Sequence, residues 1–347
     1  MSQPLSTPAV QDAPMWNLFR YLRPNWKFFS WSCFASIVNK VLDLMPPVLV
    51  GWVIDSVRRE PPQWIANLLG TVDPWNLAVF LAVLGVVIFF FESLFEWAYQ
   101  YGFMNLAQSV QHQLRTDAYN HLQTREIEFF ENHRMGETMA MLNDDVNQIE
   151  RFLNIGFNEI LQLIVLFIFA GSLMFGVSWE LAVVGLLPLP IVLWGSLMYQ
   201  RLISPRYRKV REAVGALSSR LENNIAGILV IKSFTAEKFE SGRVADASRE
   251  YQKANFQAIK LSALYVPLIR MAIAVGFGGV LLLGSYWVLE DKGLLTVGEL
   301  VFFSMMIQRL LWPLTRMGVT LDEYERAKAS ARRTFGLLHT PSKIVNP

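Results

Sequence analysis

The chain has 347 residues, of which 53% are hydrophobic and 17% are charged. Soluble domains usually carry about 45–50% apolar and about 25% charged residues, so this composition disfavours both a soluble enzyme and a disordered chain. The 31 Lys and Arg residues nearly balance the 29 Asp and Glu residues, and this balance gives no sign of nucleic-acid binding. Because there is a single cysteine, no disulfide can form within the chain.

Residues 1–14 form a polar, Pro-rich segment without the apolar core of a signal peptide, and we expect a flexible tail there. Beyond it, six apolar segments are long enough to cross a bilayer, which takes about 20 apolar residues per helix. We predict spans at about 26–54, 75–100, 155–177, 179–203, 258–289 and 299–318. The first carries Lys40 and Asp43 and the sixth carries Arg309, so these two helices are expected to face something polar.

The Lys and Arg residues are distributed unevenly between the connections. Most lie in the two chain ends and in the long connections 101–154 and 204–255, whereas the connections on the opposite side hold only Arg58, Arg59 and Lys292. Positively charged segments stay on the cytoplasmic side of a membrane. We therefore expect an integral protein of the plasma (inner) membrane with both termini in the cytoplasm.

The two long connections have helical patterns. Residues 103–135 contain neither Gly nor Pro, and apolar side chains recur there at helical spacing, as in Leu106 and Val110. We expect the membrane helices to continue into the cytoplasm and to turn back at two tips, near 126–136 and 233–242.

Each tip combines a glycine, expected to break the helix, with aromatic residues that have little to pack against in their own hairpin. Gly136 accompanies Phe129 and Phe130, and Gly242 accompanies Phe234. A single exposed aromatic residue is ordinary. Two tips of similar design favour a docking surface for a partner.

Five stretches, in this order, resemble the transmembrane domain of ABC exporters of the type IV fold, a multidrug and lipid-flippase-like family. They are LFRYLRPNW (18–26), FFENHRMGETMAMLNDDVNQIERF (129–152), ENNIAGILVIKSFTAE (222–237), WPLTRM (312–317) and RAKASARRTFGLL (326–338). The first resembles the amphipathic elbow helix of that family. The resemblance implies an all-α membrane protein with one transmembrane domain at 15–338. This domain would have six transmembrane helices with long cytoplasmic extensions, and two such chains would form a domain-swapped dimer.

The sequence departs from that family in one respect. It contains no G-x-x-x-x-G-K-[ST] loop, which would hold nucleotide phosphates, and no Leu-Ser-Gly-Gly-Gln signature. We expect no ATPase site in this chain, and ATP and Mg²⁺ to bind an associated nucleotide-binding domain. That domain either continues the polypeptide, with residues 339–347 as a linker, or is a separate chain; the linker-like end favours the first.

The resemblance also implies roles for the two tips. They would be coupling helices, which seat on nucleotide-binding domains and transmit their motion to the membrane helices. The residues expected to make these contacts are Phe129, Phe130, His133, Phe234 and Glu237.

Charged residues inside a membrane are costly and suggest function. Arg309 has no partner three or four residues away in its own helix, so it is a candidate to meet an anionic group, such as a lipid phosphate, in a substrate cavity. An interhelical salt bridge with Glu92 or Asp43 is the alternative. Glu92 and Glu96 share one face of the second span, and Arg270 of the fifth span is their candidate partner.

Phe303 and Met306 of the sixth span add a soft apolar surface that could contact a substrate. Packing against lipid or neighbouring helices is the commoner role of such residues. Lys40 and Asp43, three residues apart, can pair with each other. The histidine spacing does not match a helical metal pair, so we expect neither a metal site nor catalytic residues.

These observations favour the permease part of an ATP-driven exporter. Its substrates would be amphipathic, hydrophobic or lipid-like and would move outward by alternating access. The expected partners are a second copy or a homologous half-transporter, a nucleotide-binding domain, membrane lipids and the substrate, with no nucleic acid. The alternatives are a scaffold or regulator that kept the fold without a motor, and an integral-membrane lipid-modifying enzyme, for which no catalytic cluster is evident.

Overall fold

The computed structural model describes residues 14–58, 73–132, 135–290, 295–311 and 316–340, together with 64, 65, 67, 70 and 313. Over these residues the regular structure is helical, and no strand occurs among them. The expected all-α fold is confirmed. The tail expected at 1–14 and the linker expected at 339–347 lie almost entirely outside the described residues.

The helices are, in chain order, α1 Pro14–Leu22, α2 Trp26–Asp43, α3 Met45–Val57, α4 Pro74–Gln123, α5 Ile127–Asn132, α6 Met135–Ala140, α7 Val146–Arg151, α8 Phe157–Val177, α9 Trp179–Leu186, α10 Pro188–Ala226, α11 Ile228–Ser233, α12 Glu237–Leu289, α13 Val297–Leu311 and α14 Met317–His339. A 3₁₀ turn, Arg23–Asn25, joins α1 to α2. Two π-helical segments, Met141–Asp145 and Phe152–Gly156, keep the chain helical from α6 to α8.

Five helical stretches are long and apolar enough to cross a membrane, judged by length and composition over the described residues. They are Pro14–Val57, Pro74–Gln123, Met135–Val177, Trp179–Ala226 and Glu237–Leu289. These stretches support an integral membrane protein. The sixth expected span, 299–318, overlaps α13, which has 15 residues, and positions that are partly outside the described chain. The sixth span therefore stays a prediction.

The long connections are helical continuations of the spans. α4 has 50 residues and α12 has 53. At about 1.5 Å per residue each is about 75–80 Å long, more than twice the ~30 Å of hydrocarbon in a bilayer. An α-helix satisfies its own backbone groups, so it can pass from lipid into water without a change of structure.

The turns at the two tips do not form at the predicted glycines. Gly136 lies within α6, and Gly242 lies within α12. In the second hairpin the chain bends first at Gly227 and then between α11 and α12, where Thr235 has a φ of 50°. Because Thr235 takes the left-handed conformation itself, no glycine is needed there. The tip of the second hairpin is therefore residues 227–236.

The chain divides into two compact units, Met1–Ala182 with Leu281–Pro347, and Val183–Val280. In the first unit, α1 is amphipathic and packs one side against α4 and α14. The cluster that it completes comprises Leu18, Leu22, Phe29, Phe103, Leu106, Ala107, Val110, Leu114, Val146, Ile149, Leu153, Ala331 and Phe335.

The second unit is built on α10 and α12, which run antiparallel and are bridged by side chains without close backbone packing. Residue numbers rise in α10 as they fall in α12 along these bridges. Tyr199 stacks on Tyr265 with ring centroids 4.2 Å apart, Arg206 donates to the carbonyl of Gln257 at 3.1 Å, and Arg220 donates to the carbonyl of Arg243 at 2.9 Å. Side-chain bridges thus connect the two helices from the membrane segment almost to the tip.

The close approach of α3 and α13 yields a testable prediction. A Cβ atom on Gly298 would lie 2.1 Å from the carbonyl oxygen of Gly51, which no packed structure allows. Gly298→Ala must therefore push the two helices apart, and we expect it to lower the free energy of unfolding by about 1–3 kcal/mol. Gly171→Ala in α8 is the control, because its Cβ would meet nothing within 4 Å and alanine favours the helix. Equal thermal unfolding midpoints for the two variants in detergent would contradict the close approach.

Candidate functional site

The first span is broken between α2 and α3. Pro46 and Pro47 have no N–H group, so they cannot donate to the carbonyl groups four residues earlier, which include that of Asp43. α2 therefore ends at Asp43 with a carbonyl oxygen that lacks its usual helical donor. The negative end of the helix dipole lies at the same place, and it favours a cation there.

Arg309 of α13 supplies that cation. Its Nη1 contacts both the carbonyl oxygen and the carboxylate of Asp43. Lys40 Nζ donates to the same carboxylate at 2.8 Å, so the expected Lys40–Asp43 pair is confirmed. Of the two roles considered for Arg309, the structure shows the salt bridge with Asp43. The anion that Arg309 contacts belongs to the protein, and a lipid phosphate would have to compete with it.

Further polar side chains connect neighbouring helices of the first unit. Ser36 Oγ donates to Asn158 Oδ1 at 2.6 Å, and Asn39 Nδ2 donates to the carbonyl of Glu92 at 2.9 Å. Thr320 Oγ1 of α14 donates to Glu159 Oε2 of α8 at 2.7 Å. Each of these bonds joins two different helices, so the polar groups of this region hold the first unit together. A cavity of 260 Å³ lies beside them, next to Lys40, Glu159 and Arg316.

The acidic pair of α4 is only partly engaged. Glu92 Oε2 is buried and has no hydrogen-bond partner within the described part of the chain. Glu96 is exposed and accepts from Gln100 Nε2 at 3.0 Å. Arg270 is exposed in the second unit, and its pairing with Glu92 and Glu96 stays a prediction. Glu92 is thus an intramembrane acceptor that the first unit leaves available.

Phe303 and Met306 are completely enclosed, each with 0% of its surface exposed. They lie on α13, which packs closely on α3 at Gly51 and Gly298. Their burial assigns them to helix packing. The expected placement on an open cavity surface does not hold in this structure, because neighbouring side chains cover both residues completely.

A further buried carboxylate joins α3 to the start of α13. Asp55 is 5% exposed and accepts from the backbone N–H of Gly298 and from Thr296 Oγ1, both at 2.8 Å. Glu299 Oε2 accepts from the N–H of Thr296 at 2.8 Å, and Thr296 Oγ1 accepts from the N–H of Glu299 at 3.0 Å. This reciprocal pattern is a capping box. The sequence TVGE (296–299) before an apolar run is the signature of this capping box, which was not predicted.

In the first tip, Phe129 packs against its own unit, whereas Ile127 and Met135 are exposed. Phe129, expected to be exposed, is 9% exposed and packs with Ala118, Leu122 and Leu337. Phe130 is 40% exposed and remains available for a partner. His133 lies outside the described residues. The prediction of an exposed Phe129 was wrong, because α14 covers it.

An ion pair between a buried carboxylate and an exposed guanidinium also fixes α14 to this hairpin. Asp145 is 6% exposed and accepts from Arg333 Nε at 2.8 Å and from Ser330 Oγ at 2.9 Å. Hydrogen bonding to the Asp145 carboxylate raises the pKa of the Arg333 guanidinium above its usual value. Sequence reasoning did not find this pair, because its members are far apart in the chain.

The second tip is exposed. Phe234 is 77% exposed, Leu229 is 79% exposed and Val230 is 62% exposed. Lys232 Nζ donates to Glu237 Oε1 at 2.9 Å, so the two charged residues pair across the turn. Phe234 therefore does not pack within its own hairpin, and the tip presents an apolar surface bordered by charges.

A double-mutant cycle tests the role of Arg309. Arg309→Met leaves the Asp43 carbonyl without a donor, and we expect it to lower the unfolding free energy by about 1–3 kcal/mol. Pro47→Ala restores an N–H group at the position that can bond this carbonyl. In the Pro47→Ala background the cost of Arg309→Met should therefore fall by about 0.5–1.5 kcal/mol. Strict additivity of the two changes would contradict the capping role.

Comparison with known proteins places these features in a family. The sequence matches the ABC transporter transmembrane region over residues 29–314. It is 26% identical over 329 residues to YknU of Bacillus subtilis (strain 168), an uncharacterized ABC transporter ATP-binding protein. The matched segment covers 94% of this chain and 53% of YknU. It is 25% identical over 334 residues to the multidrug resistance-like ATP-binding protein MdlA of Escherichia coli (strain K12), with coverage of 94% and 53%.

A probable multidrug resistance ABC transporter ATP-binding/permease protein of Bacillus subtilis (strain 168), YheI, is 24% identical over 334 residues, with coverage of 94% and 54%. The chain spans about half the length of these curated relatives. The all-helical architecture, with long extensions and two tips, fits the type IV exporter fold. The chain belongs to the ABC transporter transmembrane region family.

Proposed function

We propose that this chain is the permease part of an ATP-driven exporter. It would move amphipathic, hydrophobic or lipid-like substrates from the cytoplasm or the inner leaflet outward by alternating access. The observation that carries the proposal is the exposed apolar tip of the second hairpin, at the end of two long helices. Family membership and the multidrug names of two relatives support it.

The tip has the composition of a docking surface. Burying apolar area yields about 25 cal/mol per Å², so Phe234, Leu229 and Val230 are costly to leave in water. The neighbouring charges of Lys232 and Glu237 form a polar rim. We assign this surface to a nucleotide-binding domain. Phe130 and His133 of the first tip are predicted to contact a nucleotide-binding domain as well.

ATP and Mg²⁺ would bind to that domain. The residues of this chain do not fit the nucleotide, because the sequence lacks the glycine-rich loop and lysine that hold phosphates. The role of this chain would be to transmit the motion of the nucleotide-binding domain to the membrane helices. α12 is one helix from the tip into the membrane segment, and side chains bridge it to α10 along that length, so a displacement of the tip would be passed along the hairpin.

A second copy or a homologous half-transporter would complete the membrane part. The two long helices of the second unit, α10 and α12, cannot enclose a substrate path by themselves. They also leave large apolar side chains exposed in their membrane segments. These include Ile191, Trp194, Leu268, Met271 and Val275, each more than half exposed. Lipid covers some of this surface, and helices of the partner would cover the rest in a domain-swapped dimer.

The polar groups that remain for a substrate are few. Arg309 is engaged with Asp43, and Phe303 and Met306 are enclosed. Glu92 is a candidate for contact with a ligand or with the partner, since one of its carboxylate oxygens has no hydrogen-bond partner among the described residues, and Glu96 and Arg270 stay predicted cavity residues. A substrate path with few accessible charges suits amphipathic molecules better than ions.

Photo-cross-linking tests the docking surface. With the photo-reactive residue p-benzoylphenylalanine in place of Phe234, in the source cells, we expect cross-links to a protein segment that carries a G-x-x-x-x-G-K-[ST] loop. The control places the same residue at Phe256, which is 61% exposed on α12 but far from the tip. We expect no cross-link to that segment from the control position.

Two outcomes would overturn the proposal. Cross-links from position 234 only to residues 1–347, or only to proteins without a nucleotide-binding loop, would show that no nucleotide-binding domain docks at the tip. A motor-less scaffold would then be the better account of the chain. Peptide mapping by mass spectrometry distinguishes these results, and it also shows whether the nucleotide-binding segment shares the polypeptide.

A further inference from the structure

A polar cavity lies where α1 meets the extensions of α4 and α14, all within the first unit. Its volume of 410 Å³ is in the range of small-ligand sites, about 300–1,000 Å³. We call it the elbow cavity. It is lined by Asn17, Arg20, Tyr21 and Pro24 of the α1 region, Gln113 and Asp117 of α4, and Phe335, Leu338 and His339 of α14.

The elbow cavity borders the place where the chain enters the membrane. α1 immediately precedes the first span and buries Leu18 and Leu22 against the core. Its other side exposes Trp16 at 74% and Phe19 at 39%, and Trp26 at the start of α2 is 51% exposed. Tryptophan and phenylalanine on the outer side of an amphipathic helix are typical of a helix lying in the lipid–water interface. Lipid headgroups can therefore reach the side of the elbow cavity formed by Arg20 and Pro24.

The elbow cavity presents both signs of charge. Arg20 is exposed on the α1 side, and it makes no ion pair with the residues that the structure describes. Asp117 lies on the α4 side of the elbow cavity, which Tyr21 of α1 also lines. A carboxylate has about four acceptor positions, so Asp117 can accept several hydrogen bonds. The amide oxygen of Gln113 adds another acceptor on the same side.

This arrangement matches a zwitterion that has a phosphate and a primary ammonium group. We propose that the elbow cavity binds the headgroup of a phosphatidylethanolamine lipid, with Arg20 on the phosphate and with Asp117 and Gln113 accepting from the ammonium N–H groups. Phe335 and Leu338 provide apolar contacts for the carbon atoms of the headgroup. Such a lipid joins α1, α4 and α14, and so it fixes the elbow helix to the C-terminal helix.

The chemistry of Asp117 separates this lipid from others. A primary ammonium donates hydrogen bonds to a carboxylate, whereas the quaternary ammonium of phosphatidylcholine has no N–H to donate. Phosphatidylglycerol offers a phosphate to Arg20 but no cation to Asp117. The order of retention should therefore be phosphatidylethanolamine above phosphatidylcholine and phosphatidylglycerol.

Lipid retention measures this order directly. The 347-residue chain is placed in nanodiscs with equal amounts of the three lipids, released, and analysed by native mass spectrometry. We expect the wild-type chain to retain phosphatidylethanolamine over phosphatidylcholine by about threefold or more relative to the bulk mixture. Retention in the bulk ratio would overturn the proposal.

Variants assign the preference to the elbow cavity. Asp117→Asn should abolish the preference for phosphatidylethanolamine over phosphatidylcholine, and Arg20→Gln should lower the retention of both phosphatidylethanolamine and phosphatidylglycerol. Tyr21→Phe removes a hydroxyl from the cavity lining but leaves the Asp117 carboxylate in place, so the preference should persist. A preference that survives Asp117→Asn, or that is lost equally in Tyr21→Phe, would contradict the assignment.

Asp246→Asn is the matched control for the change of charge, because Asp246 is 73% exposed in the second unit. It should leave the lipid ratio unchanged. Thermal unfolding of every variant shows whether the fold is intact. The measurement needs neither nucleotide nor transported substrate, so a negative result leaves the proposed exporter function untouched.

Discussion

Backbone groups inside a bilayer must find their hydrogen bonds within the protein, and the architecture of this chain follows from that requirement. A helix meets it along its whole length, so α4 and α12 continue far beyond the bilayer as single helices. Where prolines interrupt the first span, a side chain has to replace the lost donor. Arg309 does so at the carbonyl of Asp43, and this explains an arginine in an apolar helix without a ligand.

The two units meet the need for apolar burial to different degrees. In the first unit, α1 and α14 cover the extension of α4, and the Asp145–Arg333 pair and Phe129 attach α14 to the first tip. The second unit has no such cover, and its apolar side chains remain exposed from the membrane segment to Phe234. A hairpin of this kind depends on surfaces outside the unit. Partner helices and a docked domain would supply them in an assembled exporter.

The sequence carries enough local information to predict helical continuity and the Lys40–Asp43 pair, since both depend on residues close together in the chain. It does not carry the contacts that join distant segments. Phe129 is buried by Leu337, which is more than 200 positions away, and the two tips have similar composition although Phe129 is buried and Phe234 is exposed. The turn at Thr235 was missed because a left-handed threonine has no sequence signature.

The rigidity of the second hairpin is the claim on which transmission of motion depends, and a distance along α12 tests it most directly. Spin labels on cysteines at Ser241 and Leu264, in a Cys33→Ser background, are 23 residues apart at exposed positions. A continuous helix places them about 35 Å apart, with a narrow distribution by double electron–electron resonance. A broad distribution centred near 25 Å, as expected for a flexible connector of that length, would contradict the rigid hairpin.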